Sequence, residues 1–232
     1  PRRGEAGATG KAGTMTTTPS DQTWYTQFRI GTYKNGAFTY NKDSKFPKGE
    51  AALNQFFRQM TPDTGMDNAA GEQAIDTDVV AKAVAAAIDE IYDRTGKKSI
   101  LVTHSQGGGP GWETVRYTPH VAAIVAIEPG GAAAPGSAAY KAMAEQKIPV
   151  PFYYGDYIGN DLPDIPAAAM WQRMAETADT FTAAYEKEGL TSTVVHLPKL
   201  GIKGNSHFMF EEANRDEIAE LLEKWLQTYA AK

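Results

Sequence analysis

The stretch Ser99-Ile100-Leu101-Val102-Thr103-His104-Ser105-Gln106-Gly107-Gly108-Gly109 constrains this chain more than any other. Ile100 to Thr103 is a short apolar, β-branched run that reads as a buried strand. It stops at His104-Ser105-Gln106 and turns at once into glycines, which suit a tight reversal and a close-packed helix start. A serine on such a strand-to-helix turn has the layout of a nucleophile elbow, with its hydroxyl above the sheet. The backbone N–H of Gln106 would then face an oxyanion forming on a bound carbonyl. The elbow pattern G-x-S-x-G is met here as Thr103-His104-Ser105-Gln106-Gly107, without the leading glycine.

The flanking sequence alternates helix and strand. Asp76 or Thr77 caps a long helix to about Arg94, with Val80, Val84, Ala87, Ile88 and Ile91 at helical spacing and Gly96 as its stop. A helix is expected from Gly108 to Tyr117, then a second buried strand, Val121 to Ile127, ending in Glu128-Pro129. Helix 138–146, strand 150–154, helix 167–187 and strand 193–197 follow. Asn214 with Glu217 reads as a capping box opening a last helix on Ile218, Leu221, Leu222, Trp225 and Leu226. Strands alternating with helices predict a parallel sheet of βαβ units, an α/β fold.

Upstream, residues 1–20 read as loop, and 21–75 as a small cap or lid-like segment before a core at 76–232. Trp24 to Tyr40 is expected to be irregular or a hairpin around Asn35-Gly36, and Glu50 to Met60 a short helix with Leu53, Phe56, Phe57 and Met60 on one face. These aromatics suit a lid over an active site, or simply the packing of a subdomain.

The 232 residues suffice for one sizeable core. A net charge of −5 gives no basis for a nucleic acid or anionic membrane partner. Without cysteine there are no disulfides, thiolate metal sites or cysteine nucleophile, and the compartment stays open. No apolar run approaches the roughly 18 residues that span a bilayer.

A serine nucleophile needs a base near pH 7, normally histidine. The chain has four. His104 adjoins Ser105, where neighbouring side chains diverge. His120 precedes its strand at the far end of the sheet, and His196 lies within a strand. That leaves His207, in a loop after a strand's C-terminal end, where open α/β sheets place their sites. Its acid partner is Glu128 or Asp156, which both end strands on the side of Ser105. Glu128 follows the strand next after the elbow and should be adjacent to it. Trp24, Phe28 and Trp112 are candidates to line a substrate pocket.

With Ser105, Glu128 and His207 in that order, the chain resembles the α/β-hydrolase superfamily, and within it a small group of bacterial esterases whose acid is a glutamate ending the sixth strand. The matching stretches are Thr103-His104-Ser105-Gln106-Gly107, Ala126-Ile127-Glu128-Pro129 and Gly201-Ile202-Lys203-Gly204-Asn205-Ser206-His207. Gln27-Phe28-Arg29-Ile30-Gly31, Phe46-Pro47 and Phe57-Arg58-Gln59-Met60 are similar to that group's cap segment. The resemblance implies a serine carboxylesterase with Glu128 as acid, acting without metal or cofactor on a small ester. The same machinery performs thioester, lactone, amide or acyl-transfer chemistry, and an inactive hydrolase-like binding protein or structural subunit would share the fold. Pro1-Arg2-Arg3-Gly4 looks like the loop after the family's fourth strand. The first strands of the sheet, with the second oxyanion donor, would then lie outside this chain, on a second polypeptide or an upstream fragment packed beside the elbow strand.

Overall fold

The structure, a computed structural model, describes residues 20–60 and 77–229. The loop expected over residues 1–19, the 61–75 part of the cap and the start of the long helix at Asp76 lie outside the described residues.

Its core is a four-stranded parallel sheet in the order β3-β4-β5-β6. The strands are β3 (Ser99–His104), β4 (Val121–Ile127), β5 (Val150–Tyr154) and β6 (Ser192–His196). The connections run through α4 (Gly108–Thr114), α5 (Ala138–Glu145) and α6 (Ala168–Lys187). Helix α3 (Thr77–Thr95) precedes the sheet and α7 (Arg215–Tyr229) follows it. This is the parallel α/β sheet of βαβ units that the alternation of elements predicts, and the layout that the resemblance to the α/β hydrolases implies. The helix expected to reach Tyr117 stops at Thr114, where bonds from Arg116 N–H to Glu113 O and from Tyr117 N–H to Thr114 O tighten the last turn.

One face of the sheet packs against α3 to α6. There Ile124, Ala126, Phe152 and Tyr154 meet Ile88, Trp112, Met143, Phe181 and Tyr185. The Tyr185 hydroxyl lies 2.8 and 2.9 Å from the carbonyl oxygens of Met143 and Ile148, satisfying a polar group that is otherwise fully buried. The other face is covered by α7, with Val125, Tyr153, Leu197, Met209 and Ile218 between them. Gly111 lets α4 approach β3, since a Cβ there would stand 2.6 Å from Thr103 Cγ2.

Strand β3 departs from the expectation of a buried strand. Leu101 turns into the main core, whereas Ile100 and Val102 are 42% and 55% exposed. The reason is position: β3 is an edge strand, and among the described residues nothing pairs with its outer side.

The upstream segment folds on its own aromatic cluster. Helix α1 (Asp21–Gln27), capped by the Ser20 hydroxyl, occupies ground read from sequence as irregular or hairpin. A hairpin of β1 (Gly31–Lys34) and β2 (Ala37–Tyr40) follows, and Asn35 and Gly36 both take the positive φ that a two-residue turn of this kind requires. Helix α2 (Glu50–Phe57) completes it. Tyr25, Ile30, Phe46 and Phe56 form its core together with Phe208 from the far end of the chain.

Phe181 is fully buried among Tyr140, Phe152 and Tyr185. Phe181→Ala is expected to lower unfolding stability by about 3–5 kcal/mol in urea titrations. A loss below 1 kcal/mol would mean that the helix layer does not carry the core.

Candidate active site

Register brings the site together. His104, the last residue of β3, pairs with Ile127, the last residue of β4. The residues that follow, Ser105 and Glu128, therefore leave adjacent strands at the same level of the sheet. Both adopt left-handed backbone, with φ of 55° and 45°, a conformation that costs a non-glycine residue on the order of 1 kcal/mol or more. At Ser105 it makes the sharp bend into the 3-10 turn Ser105–Gly107 and then α4. Gln106 is the second residue of that turn.

Glu128 is fully buried and uses both oxygens. Oε2 faces His207 Nδ1 at 3.3 Å, across 79 residues of sequence. Oε1 accepts from Arg29 Nη2 at 2.7 Å and from the Gly155 N–H at 2.5 Å. Gly155 has no room for a side chain, because a Cβ would meet Asn205 O at 2.6 Å and Glu128 Oε1 at 3.1 Å. Burial alone would raise the Glu128 carboxyl, but the Arg29 cation, the His207 contact and the Gly155 N–H outweigh it and hold it down to about 2.

The His207 loop is pinned from several directions. Its N–H donates to Phe28 O at 3.2 Å. Glu212, itself buried, accepts from Ser206 N–H and from Asn205 Nδ2 at 2.8 and 2.6 Å. Asn214, read as a helix cap, exchanges side-chain hydrogen bonds with Asn205, and its carbonyl accepts from the Ile218 N–H at the start of α7. Asp156, the alternative acid, spends its carboxylate on backbone N–H groups, Oδ1 on Tyr157 and Oδ2 on Gly204. It shapes the loop, and Glu128 is the carboxylate that meets the imidazole.

The His207 ring lies between aromatic faces. Phe28 stacks on it with centroids 4.7 Å apart and an interplanar angle of 13°, and Trp171 sits at 4.3 Å. Trp24 packs edge-on against Phe28. Trp112 lies in the main core with its indole N–H on Gly131 O. Burial lowers the His207 pKa to about 3, against the pull of the Glu128 hydrogen bond, with His104 and Arg29 adding to the depression. The imidazole is therefore neutral, and its buried Nε2 makes no hydrogen bond, the Ser105 hydroxyl included.

Three residues around the site were not singled out for it by sequence reasoning. His104, set aside because neighbouring side chains diverge, has its Nε2 3.0 Å from the His207 carbonyl oxygen and its ring 4.4 Å from that of His207. The loop carrying His207 folds back over the His104 ring. Trp171, read only as an apolar helix position, donates to Gln27 O. Arg29, a charged residue in an aromatic-rich stretch, carries no local signal that it is buried. Of the other histidines, His120 pairs with Asp89 and stacks on Tyr92, and His196 ends β6 beside Tyr154. Among the described residues no group of three or more His, Asp or Glu side chains is placed to hold a metal ion. No helix among them is long and apolar enough to cross a membrane.

The depressed His207 gives a pH signature. Unfolded chain takes up its proton below the ordinary value of 6.5, whereas folded chain does not until about 3. The stabilisation is thus full above pH 6.5 and is lost as pH falls through that window. Between pH 7 and 5 the loss from this one group is expected to be roughly 2 kcal/mol. His207→Asn should flatten the fall by that amount in urea titrations at the two pH values. An equal fall in both proteins would contradict a neutral, buried imidazole.

No family model matches the chain. It is 30% identical over 174 residues to a probable secreted lipase, phiG, of a fungal species (strain ATCC 74256), a match spanning 59% of this chain and 48% of the lipase. The solved structure of a bacterial esterase superposes with a TM-score of 0.74 at 26% identity, over 97% of this chain and 64% of the esterase. A monoacylglycerol lipase from Paleococcus ferrophilus overlaps at a TM-score of 0.39 and 15% identity, too little to carry an argument. The chain therefore spans about half the length of the curated relative and under two thirds of the solved esterase. In fold and in sequence it is related to the esterases of the α/β-hydrolase type.

Proposed function

We propose that this chain carries the catalytic triad of a serine carboxylesterase, with Ser105 as nucleophile, His207 as general base and Glu128 as its acid. The observation that carries the reading is the contact of Glu128 with His207 at the sheet rim where Ser105 follows the neighbouring strand. The likeness to an esterase and a lipase supports ester bonds as the target.

The chemistry follows from the groups present. Ser105 Oγ attacks the ester carbonyl carbon while its proton passes to His207 Nε2. The tetrahedral oxyanion takes a hydrogen bond from the Gln106 N–H. Collapse breaks the carbon–oxygen bond, and the alcohol leaves with the proton from His207. Water then attacks the acyl-enzyme, with His207 again taking and returning a proton, and the carboxylic acid departs. Glu128 holds the Nδ1–H tautomer and stabilises the imidazolium as it forms. For this the serine oxygen must come within reach of Nε2, which is the atom left without a partner.

Hydrolysis of short-chain p-nitrophenyl esters by the complete assembly tests the reading. Ser105→Ala and His207→Ala are each expected to lower kcat by at least about 10³-fold, and Glu128→Gln by 10²–10⁴-fold, with KM little changed. Full activity in folded Ser105→Ala would defeat it.

We propose further that additional strands of the same sheet pair along the outer edge of β3, on a second polypeptide or an upstream fragment. Exposed Ile100 and Val102 support this, because a long apolar edge invites pairing. In this fold the second oxyanion donor follows the third strand, and so would arrive with them. Protein from its native source should run on size exclusion above the 25.1 kDa of this chain. A single species of that mass on both size exclusion and a denaturing gel would contradict the pairing.

A further inference from the structure

We infer that Arg29 is a positioning residue of the site, whose guanidinium on Glu128 sets the pH at which the Glu128–His207 pair takes up a proton, and with it the acid limit of activity. The inference deepens the triad reading and rests on it.

The geometry begins in the backbone. Arg29 follows the end of α1 with φ of 60°, and the bonds Arg29 N–H to Thr26 O and Ile30 N–H to Tyr25 O close the helix as a Schellman motif. Glycine normally takes that left-handed position without strain; here an arginine does, and its side chain turns inward. Nη2 donates to Glu128 Oε1 at 2.7 Å, Nε donates to Asp156 O at 3.0 Å, and the guanidinium carbon lies 4.7 Å above the Trp171 ring. Asn41 Nδ2 holds the Arg29 carbonyl at 2.8 Å. Both partners of the ion pair are fully buried.

Charge counting gives the sign. An arginine does not lose its proton in a protein. With His207 neutral, Arg29 and Glu128 cancel, and a proton added to the pair would leave the buried site with a net positive charge. Without Arg29 the same site carries a net negative charge, and a proton would neutralise it. The guanidinium therefore keeps the pair proton-free, and His207 able to accept from serine, further into acid. The other groups around the Glu128–His207 pair do not supply this. His104 from β3 is buried and its pKa is lowered, by burial first. Tyr154 from β5 is held in its neutral form by burial. The Asp156 and Glu212 carboxylates on the neighbouring loops are negative when ionised and would favour proton uptake. Phe28 and Trp171 are uncharged. The titration belongs to the coupled pair rather than to either residue.

Two readouts on the same proteins test it: the acid limb of kcat/KM on a p-nitrophenyl ester, and ¹⁵N NMR of the His207 ring, which needs no turnover. In Arg29→Met both are expected to move up by about one pH unit or more. Arg29→Lys, which keeps the charge, should stay near wild type. Arg29→Gly, which relieves the backbone strain, should shift as methionine does, and a merely structural role would move none of these midpoints. If Arg29→Met does not fold, Glu128→Gln compared with the Arg29→Met, Glu128→Gln double variant keeps the test, since removing the cation should still raise the His207 midpoint. A folded Arg29→Met with unshifted NMR midpoint overturns the inference. Absent ester turnover in wild type, with the NMR shift intact, overturns the triad reading instead.

Discussion

The structure depends on a carboxylate shared, away from water, between a fixed cation and an imidazole. A lone ionised Glu128 in this position would cost several kcal/mol in lost hydration. Arg29 on one oxygen and His207 on the other, with the Gly155 N–H beside Arg29, make it tenable. Removing one member of such an arrangement strands the others, and its parts come from four separate stretches of chain that must all fold around it.

That requirement makes sense of the upstream segment. Arg29, Phe28 and Gln27 reach the site from one helix end, through the ion pair, a stacked ring and a carbonyl on Trp171. Lys45 exchanges backbone hydrogen bonds with the His207 loop and its continuation, by its N–H to Gly204 O and its carbonyl from Ala213. The Tyr157 hydroxyl adds a bond to Lys42 O at 2.6 Å. These contacts describe a strap tied over the histidine loop. Arg29, Ser105, Glu128 and Tyr157 all hold left-handed backbone without being glycine, as Asn35, Asp43 and Lys147 do elsewhere in the fold. Arg29 and Glu128, two of these, are the two partners of the buried ion pair.

How much of this the sequence displays differs residue by residue. The sheet was legible because apolar runs such as Val121–Ile127 alternate with amphipathic helices at short spacing. Ser105 was read from the strand-to-helix turn, whereas the residues alone left Glu128 and Asp156 both open as the acid, because both follow strand ends on the same side of the sheet. His207 emerged by elimination among few histidines. Arg29 did not, since no periodicity marks a buried cation whose partner is 99 residues away. Helix α1 was hidden because its aromatic positions also suit a hairpin, although Ser20 was present as a local N-cap signal. The exposure of Val102 depends on what lies beyond the sheet edge, which local pattern cannot report.

The central claim is that this buried charge arrangement activates one serine oxygen. Intact-mass spectrometry after treatment with a fluorophosphonate, followed by peptide mapping, addresses it most directly. The account predicts a single adduct on Ser105, formed in the folded assembly and absent after denaturation. Adducts scattered over other serines, or none while Glu128 and His207 are intact, would contradict it.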